Sequence, residues 1–361
     1  MTNSDLATHP VVAVWETNQA RHDAPILAES LQARESRELS ATEAEKLIRD
    51  VADLRAPVFV FAGANPLARP GIMSLVRYAC SCGLRPSMVL SDSPLLTRQA
   101  IEDLKAAGLS RCGITLQGST AELHESFSGS QSSLARAIQG MRWVNERRLL
   151  LQVHTQISRA NVHDLENMAA VLKGFRAMLW SLAFPVIADP GRAGENFTAE
   201  EFEEIFERIY SIAQTVEFKI KTVDADHYRR YVTQQRTLYR VDKMGALCAP
   251  FREHGIPGVF PVNEARGTIF ISSSGEVYPS SQITVSAGNV RRERLRDIYR
   301  ESQMFRDFRD LNNLKGKCGL CEYKEMCGGS RARAWAMAGD MFAEDDSCVY
   351  QPSAMLAYKA G

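Results

Sequence analysis

The chain has 361 residues, 45% of them apolar and 24% charged, and its 43 basic side chains balance 43 acidic ones. That length holds one large α/β domain and a smaller one, and the composition lacks the apolar depletion of disordered chains. With no net charge there is no whole-chain field for nucleic acid or an anionic membrane, so neither is expected as a partner.

Residues 1–8 lack the basic flank and apolar core of a signal peptide. No uninterrupted apolar stretch approaches the roughly 20 residues that cross a bilayer. A cytoplasmic location is therefore expected, where eight cysteines read as thiols or metal ligands rather than disulfides. Cys80, Cys82, Cys112 and Cys248 are scattered, whereas Cys318, Cys321, Cys327 and Cys348 crowd the C-terminus.

In chain order, an apolar run at 11–15 predicts a first strand, and "WETNQARHDAPILAES" (15–30) predicts a polar loop after it. A helix over 41–54 opens with Ser40 and Glu43 three residues apart, the spacing of a capping box. Strands at 58–61, 88–90, 112–116, 149–155 and 179–184 then alternate with helices at 71–82, 97–107, 134–146, 162–175 and 199–213. Six βα units in series predict a parallel sheet with right-handed crossovers, as a partial barrel or an open doubly wound sheet. Functional groups then gather at the C-terminal ends of the strands. In the fifth strand Gln152, His154 and Gln156 share parity and face one side, read as the lumen.

The rhythm breaks near Phe218. A helix is expected over 226–239, a linker over 255–267, and a β-hairpin over 267–281 around a Ser-Ser-Gly turn. The expected division is a barrel domain at 8–215, a connecting segment at 216–262 and a small cysteine-bearing domain at 263–361. The basic stretch 288–300 is interleaved with Glu293 and Asp297, the pattern of a solvated helix face with ion pairs.

The sharpest motif is "CGLCEYKEMC" (318–327) with Cys348 beyond it. Four soft thiolates suit either a tetrahedral zinc ion or a 4Fe-4S cluster, and spacing alone does not choose between them. A bound metal would also give cohesion to a segment with few large apolar residues.

Five stretches carry a family resemblance: "VVAVWETNQA", "NPLARPGIMSLVRYA", "SPLLTRQAIEDLKAAGLSRCGITLQGSTAELHESFSG", "AGNVRRERLRDIYRES" and "KCGLCEYKEMCGGSRARAWAMAGD". Through them the chain resembles radical S-adenosylmethionine (SAM) proteins with a C-terminal SPASM domain, in the branch of haem-biosynthesis and peptide-maturation proteins. The resemblance implies a partial (β/α)6 barrel with a small C-terminal SPASM-like module. It implies an iron-sulfur cluster rather than zinc at Cys318, Cys321, Cys327 and Cys348. It also implies a small molecule, a tetrapyrrole, a peptide or a partner protein as what the chain acts on or meets. The first strand begins near residue 11, so no peptide-recognition domain is expected ahead of it, which slightly disfavours a peptide-modifying role.

Against that family the chain departs at its key positions. The Cys-x3-Cys-x2-Cys of the SAM cluster falls on Arg21, Pro25 and Ala28, none of which offers iron a coordinating lone pair. On this alignment, radical cleavage of SAM by the usual route is excluded. The acidic turn that receives the SAM ammonium becomes Gly63-Ala64-Asn65-Pro66, and Ser-Leu-Asp-Gly becomes Thr115-Leu116-Gln117-Gly118. Cysteines of a second SPASM cluster are replaced by Ser280 and Arg331, and Cys248 reads as a buried thiol. The expectation is one C-terminal 4Fe-4S cluster and a degenerate SAM site, in a pseudoenzyme acting as a binding, scaffold or electron-relay protein. The alternative is a repurposed enzyme that modifies a small molecule, tetrapyrrole or peptide in the barrel pocket. Arg21, Asn65, Gln117 and His154, with Arg192, are the expected cofactor- or substrate-contacting residues of an anion-tolerant pocket, and no catalytic residue is assigned.

Overall fold

A computed structural model describes residues 3–19, 38–244 and 266–359. Arg21, Pro25, Ala28 and Cys248 lie outside these described residues.

The elements run α1 (Asn3–Thr8), β1 (Val12–Glu16), α2 (Ala41–Asp53), β2 (Val58–Ala62), α3 (Ile72–Ser81), β3 (Pro86–Leu90), α4 (Arg98–Ala106) and β4 (Arg111–Thr115). Then follow α5 (Ala121–Ser128), α6 (Ser133–Glu146), β5 (Leu150–Gln156), α7 (Leu165–Lys173), β6 (Ala177–Ala183), α8 (Ala199–Ala213), β7 (Lys219–Val223) and α9 (Tyr228–Met244). The C-terminal part adds β8 (Thr268–Ile271), β9 (Glu276–Tyr278), β10 (Gly288–Asn289), α10 (Leu295–Glu301), α11 (Gln303–Arg309), α12 (Gly316–Leu320), α13 (Arg331–Ala338) and α14 (Ser353–Lys359). The Ser40–Glu43 capping box forms as its spacing predicts, and a second one, Thr198 with Glu201, starts α8.

Strands β1 to β7 pair in sequence order, all parallel, and β8 joins the outer edge of β1, also parallel. The β8–β9 hairpin of the cysteine module therefore continues the barrel sheet. The fold is the mixed α/β barrel that the resemblance implies, with one strand more than six. β7 escaped the periodicity because Lys219 and Lys221 alternate with Ile220 and Thr222, leaving no apolar run to detect.

Strand parity separates core from lumen. In β1 and β2, Ala13, Trp15, Phe59 and Phe61 are fully buried under the helices, while Val12, Val14, Val58 and Val60 are half-buried on the inner face. In α8, Phe202, Ile205, Phe206 and Ile209 are buried as the helical period requires. No helix among the described residues is long and apolar enough to cross a membrane.

Arg69 closes the base of the segment between β1 and α2. Its guanidinium donates to the carbonyls of Thr17 and Leu39, each at 2.5 Å, and lies 4.7 Å over the Trp15 ring. Thr17 and Leu39 flank the loop on its two sides, so one buried cation holds both ends together. Replacing Arg69 by Met leaves two carbonyls without their charged donor, and chemical denaturation should show a loss of about 2–4 kcal/mol.

Candidate cluster site and barrel mouth

Cys318 and Cys321 lie on and just after α12, Cys327 ends the following turn, and Cys348 returns from beyond α13. All four line one cavity, partly open to solvent, together with His227, Arg230, Lys317 and Tyr323. Three of the four sulfurs accept a backbone N–H: Cys318 from Asp345 at 3.3 Å, Cys321 from Tyr323 at 3.4 Å and Cys327 from Gly329 at 3.4 Å. Such donors suit sulfur carrying negative charge.

Local sequence explains the geometry. Gly328 and Gly329 take φ of +73° and +68°, which turns the chain after Cys327 and aims the Gly329 N–H back at its sulfur. A Cβ on Gly329 would lie 2.9 Å from Asp345 Cβ and 3.0 Å from Cys318 Sγ, so a side chain does not fit there. Asp345 is fully buried and accepts from the Ser330 N–H at 2.8 Å and the Ser347 hydroxyl at 2.5 Å. Burial alone would raise its pKa. His227, Arg333 and these hydrogen bonds outweigh that and hold it at about 2.

Burial pushes all four thiols above the ordinary cysteine value, despite Arg331 beside Cys318 and Arg230 beside Cys348. As free thiols they stay protonated, and it takes a bound metal centre to draw the protons off. The donor set thus fits a thiolate-held group. Among the described residues, no three His, Cys, Asp or Glu side chains form a group able to hold a single metal ion.

Arg331 stands where the resemblance puts a further cysteine. Its guanidinium is buried, donates to the carbonyls of Met341 (3.0 Å) and Ala343 (2.7 Å), and approaches Cys318 Sγ at 3.8 Å. The Ser280 hydroxyl accepts from the Gln282 N–H.

The cysteine segment docks on the C-terminal ends of the last barrel strands. Arg333 on α13 donates to the carbonyls of Phe184 (3.4 Å) and Asp224 (3.3 Å), Arg229 on α9 to Met326, and Arg266 to Glu325.

At the barrel rim, Asn65 and Gln117 join one polar belt. Asn65 Nδ2 donates to Ser93 at 2.9 Å, and Asn18 clamps the Asn65 backbone from both sides. Asp92 pairs with His124, which accepts from the Gln117 N–H, while Gln117 Oε1 accepts from the Gln156 N–H at 2.8 Å. The Gln117 carbonyl oxygen is thus committed to the protein, whereas Asn65 Oδ1 is buried without a partner.

His154 lies deeper, in the lumen, as its parity predicts. Its ring fills the space that a side chain at Gly113 would take, with Nε2 2.7 Å from where that Cβ would be. It stands level with Thr115, Ser181 and Lys221 on the neighbouring strands. Nε2 is buried without a partner. Desolvation first, and then the charge of Lys221, lower its pKa to about 4.

Lys221 stays accessible to water within this concave face, and burial by the surrounding protein together with Arg229 lowers its pKa. Arg111, on the same face of β4, has an unpartnered buried Nε. Arg192 lies on a short 3-10 helix (Pro190–Glu195), where it pairs with Glu195 at 2.8 Å.

The lumen cations and His227 were missed in the sequence. The alternation around Lys219 and Lys221 was the only signal for the first, and nothing local marks the second.

The unfolded chain protonates His154 near its ordinary value of about 6.5, the folded one only near 4. Between those values the unfolded state binds the extra proton, so stability falls as pH falls. Denaturation midpoints measured from pH 7 to pH 4 should decline more steeply for the wild type than for His154→Gln.

The radical SAM superfamily model matches residues 20–172, and the model of an iron-sulfur cluster-binding domain, SPASM, matches 263–327. An AdoMet-dependent heme synthase from Methanosarcina barkeri is 31% identical over 316 residues, covering 87% of this chain and 88% of the relative. A PqqA peptide cyclase from Rhodopseudomonas palustris is 27% identical over 321 residues, covering 87% of this chain and 80% of the relative. Among solved structures, Streptococcus suis SuiB bound to S-adenosylmethionine superposes with a TM-score of 0.69 at 13% identity, covering 95% of this chain and 78% of SuiB, a likeness of fold. With the parallel barrel and the four-cysteine cavity beside its strand ends, the chain belongs to the radical SAM/SPASM family.

Proposed function

We propose that this chain is a radical SAM/SPASM-family protein that holds one 4Fe-4S cluster on Cys318, Cys321, Cys327 and Cys348 and does not cleave SAM reductively. It acts as a binding, scaffold or electron-relay protein. One contrast carries the reading: the four C-terminal sulfurs line a common cavity and three of them accept a backbone N–H, whereas residues 1–79 contain no cysteine. A cluster in the barrel would need sulfur donors at Arg21, Pro25 and Ala28.

When bound, the cluster supplies one-electron redox chemistry. The chain's part is to exclude bulk water with Cys318 and Cys327, which are buried, and to leave an edge at Cys321, which is half-buried. The cations Arg230 and Lys317 in the wall offset thiolate charge. Asn65 Oδ1, buried and unpartnered where the family's acid would be, is an acceptor that a SAM ammonium could still use.

The second reading, a repurposed enzyme acting on an acid-bearing small molecule, tetrapyrrole or peptide, is favoured by the lumen row of His154, Ser181 and Lys221 with Arg111. These groups suit carboxylates.

Anaerobically purified protein should contain about four irons with matching sulfide per chain and form no 5′-deoxyadenosine from SAM under reducing conditions. Two clusters' worth of iron with 5′-deoxyadenosine production would overturn the first reading. For the second, titration with a carboxylated tetrapyrrole such as coproporphyrin should show about tenfold weaker binding in Lys221→Gln; equal affinity in both proteins would remove it.

A further inference from the structure

His227 lies between β7 and α9, where the barrel meets the cysteine cavity. It is 0% exposed. Phe202 and Phe206 pack against its ring, with centroids 4.8 and 4.7 Å away. Neither ring nitrogen has a hydrogen-bond partner. The nearest carboxylate oxygen, Asp345 Oδ2, is 3.9 Å from Nδ1, beyond hydrogen-bonding distance. Asp345 is already engaged with Ser330 and Ser347.

A buried polar atom without a partner is rare and costs stability. Two on one imidazole make His227 unlike an ordinary core histidine, which is fixed by at least one hydrogen bond. Two of its surroundings, the phenylalanine rings, have nothing to offer it. The remaining side is the cavity wall it shares with Cys318, Cys321, Cys327 and Cys348. Sulfur in a thiolate-held cluster only accepts hydrogen bonds, and a neutral imidazole carries one N–H to donate.

We propose that His227 donates a ring N–H hydrogen bond to a sulfur of the cluster, and so is a positioning residue that sets the cluster's reduction midpoint. The inference rests on the cluster reading above. An electron added to the cluster increases the negative charge on its sulfurs, so the hydrogen bond strengthens in the reduced state and favours reduction. No bond to iron forms or breaks, and the electron comes from the chemical reductant of the titration.

The test compares wild type, His227→Phe and His227→Gln as full-length protein, each assayed for iron and sulfide before redox titration followed by electron paramagnetic resonance. The Phe variant should keep its iron and show a lower midpoint, and Gln, which retains an N–H donor, should restore most of the shift. An unchanged midpoint in the iron-replete Phe variant overturns the proposal. Should the Phe variant fail to fold, wild type labelled with ¹⁵N-histidine decides. Pulsed resonance of its reduced cluster should show coupling to an imidazole nitrogen, and absence of that coupling overturns the contact. Zinc in place of iron in the wild type overturns the cluster reading and this inference together, whereas iron and sulfide without the coupling overturns only the role of His227.

Discussion

Sulfur taken out of water must be given positive charge or hydrogen-bond donors, and the C-terminal module is arranged around that requirement. Burial raises every thiol in the cavity, while three backbone N–H groups, Arg331 and Arg230 act in the opposite sense. The two left-handed glycines and the buried Asp345 exist in service of those donors: the first turn an N–H toward Cys327, and the second holds the backbone around Ser330 and Ser347. The helices here are short, five residues in α12 and eight in α13, too short to be stable alone. Contacts centred on sulfur and on buried ionic groups replace much of what a larger apolar core would provide.

The barrel obeys a different constraint. Its parallel strands bury one face under helices and turn the other inward, so every second residue is available to a ligand. The inner face divides unevenly. β1 and β2 contribute valines with Glu16 and Ala62, whereas β4 to β7 contribute His154, Ser181, Lys221 and Arg111. At the rim the polar groups largely satisfy one another, as in the Asn18–Asn65 clamp and the Asp92–His124–Gln117 chain. Lower down they do not, since His154 Nε2 and Arg111 Nε are both orphaned. The interior thus keeps polar atoms that the protein itself does not satisfy.

Much of this was legible in the sequence because it follows from short-range rules. The capping box at Ser40 and the amphipathic period of α8 both depend on residues within one or two turns, and both formed where their spacing put them. The parity of Gln152, His154 and Gln156 placed His154 in the lumen, since a strand cannot rotate alternate side chains onto one face. β7 was lost for the same kind of reason: its inward residues are lysines, and a strand half-lined with cations carries no apolar run.

By itself, then, the sequence determined the alternation of strands and helices, the inward set of β5 and the clustering of four cysteines, because each is written in local spacing. Only the tertiary structure decided that the cysteine module continues the barrel sheet through β8 and β1, that Lys221 stands level with His154, and that His227 closes the cysteine cavity with no partner of its own. Those relations join residues tens to hundreds of positions apart. They are set by which strands pair and which side chains then share a buried volume, and no local periodicity encodes either.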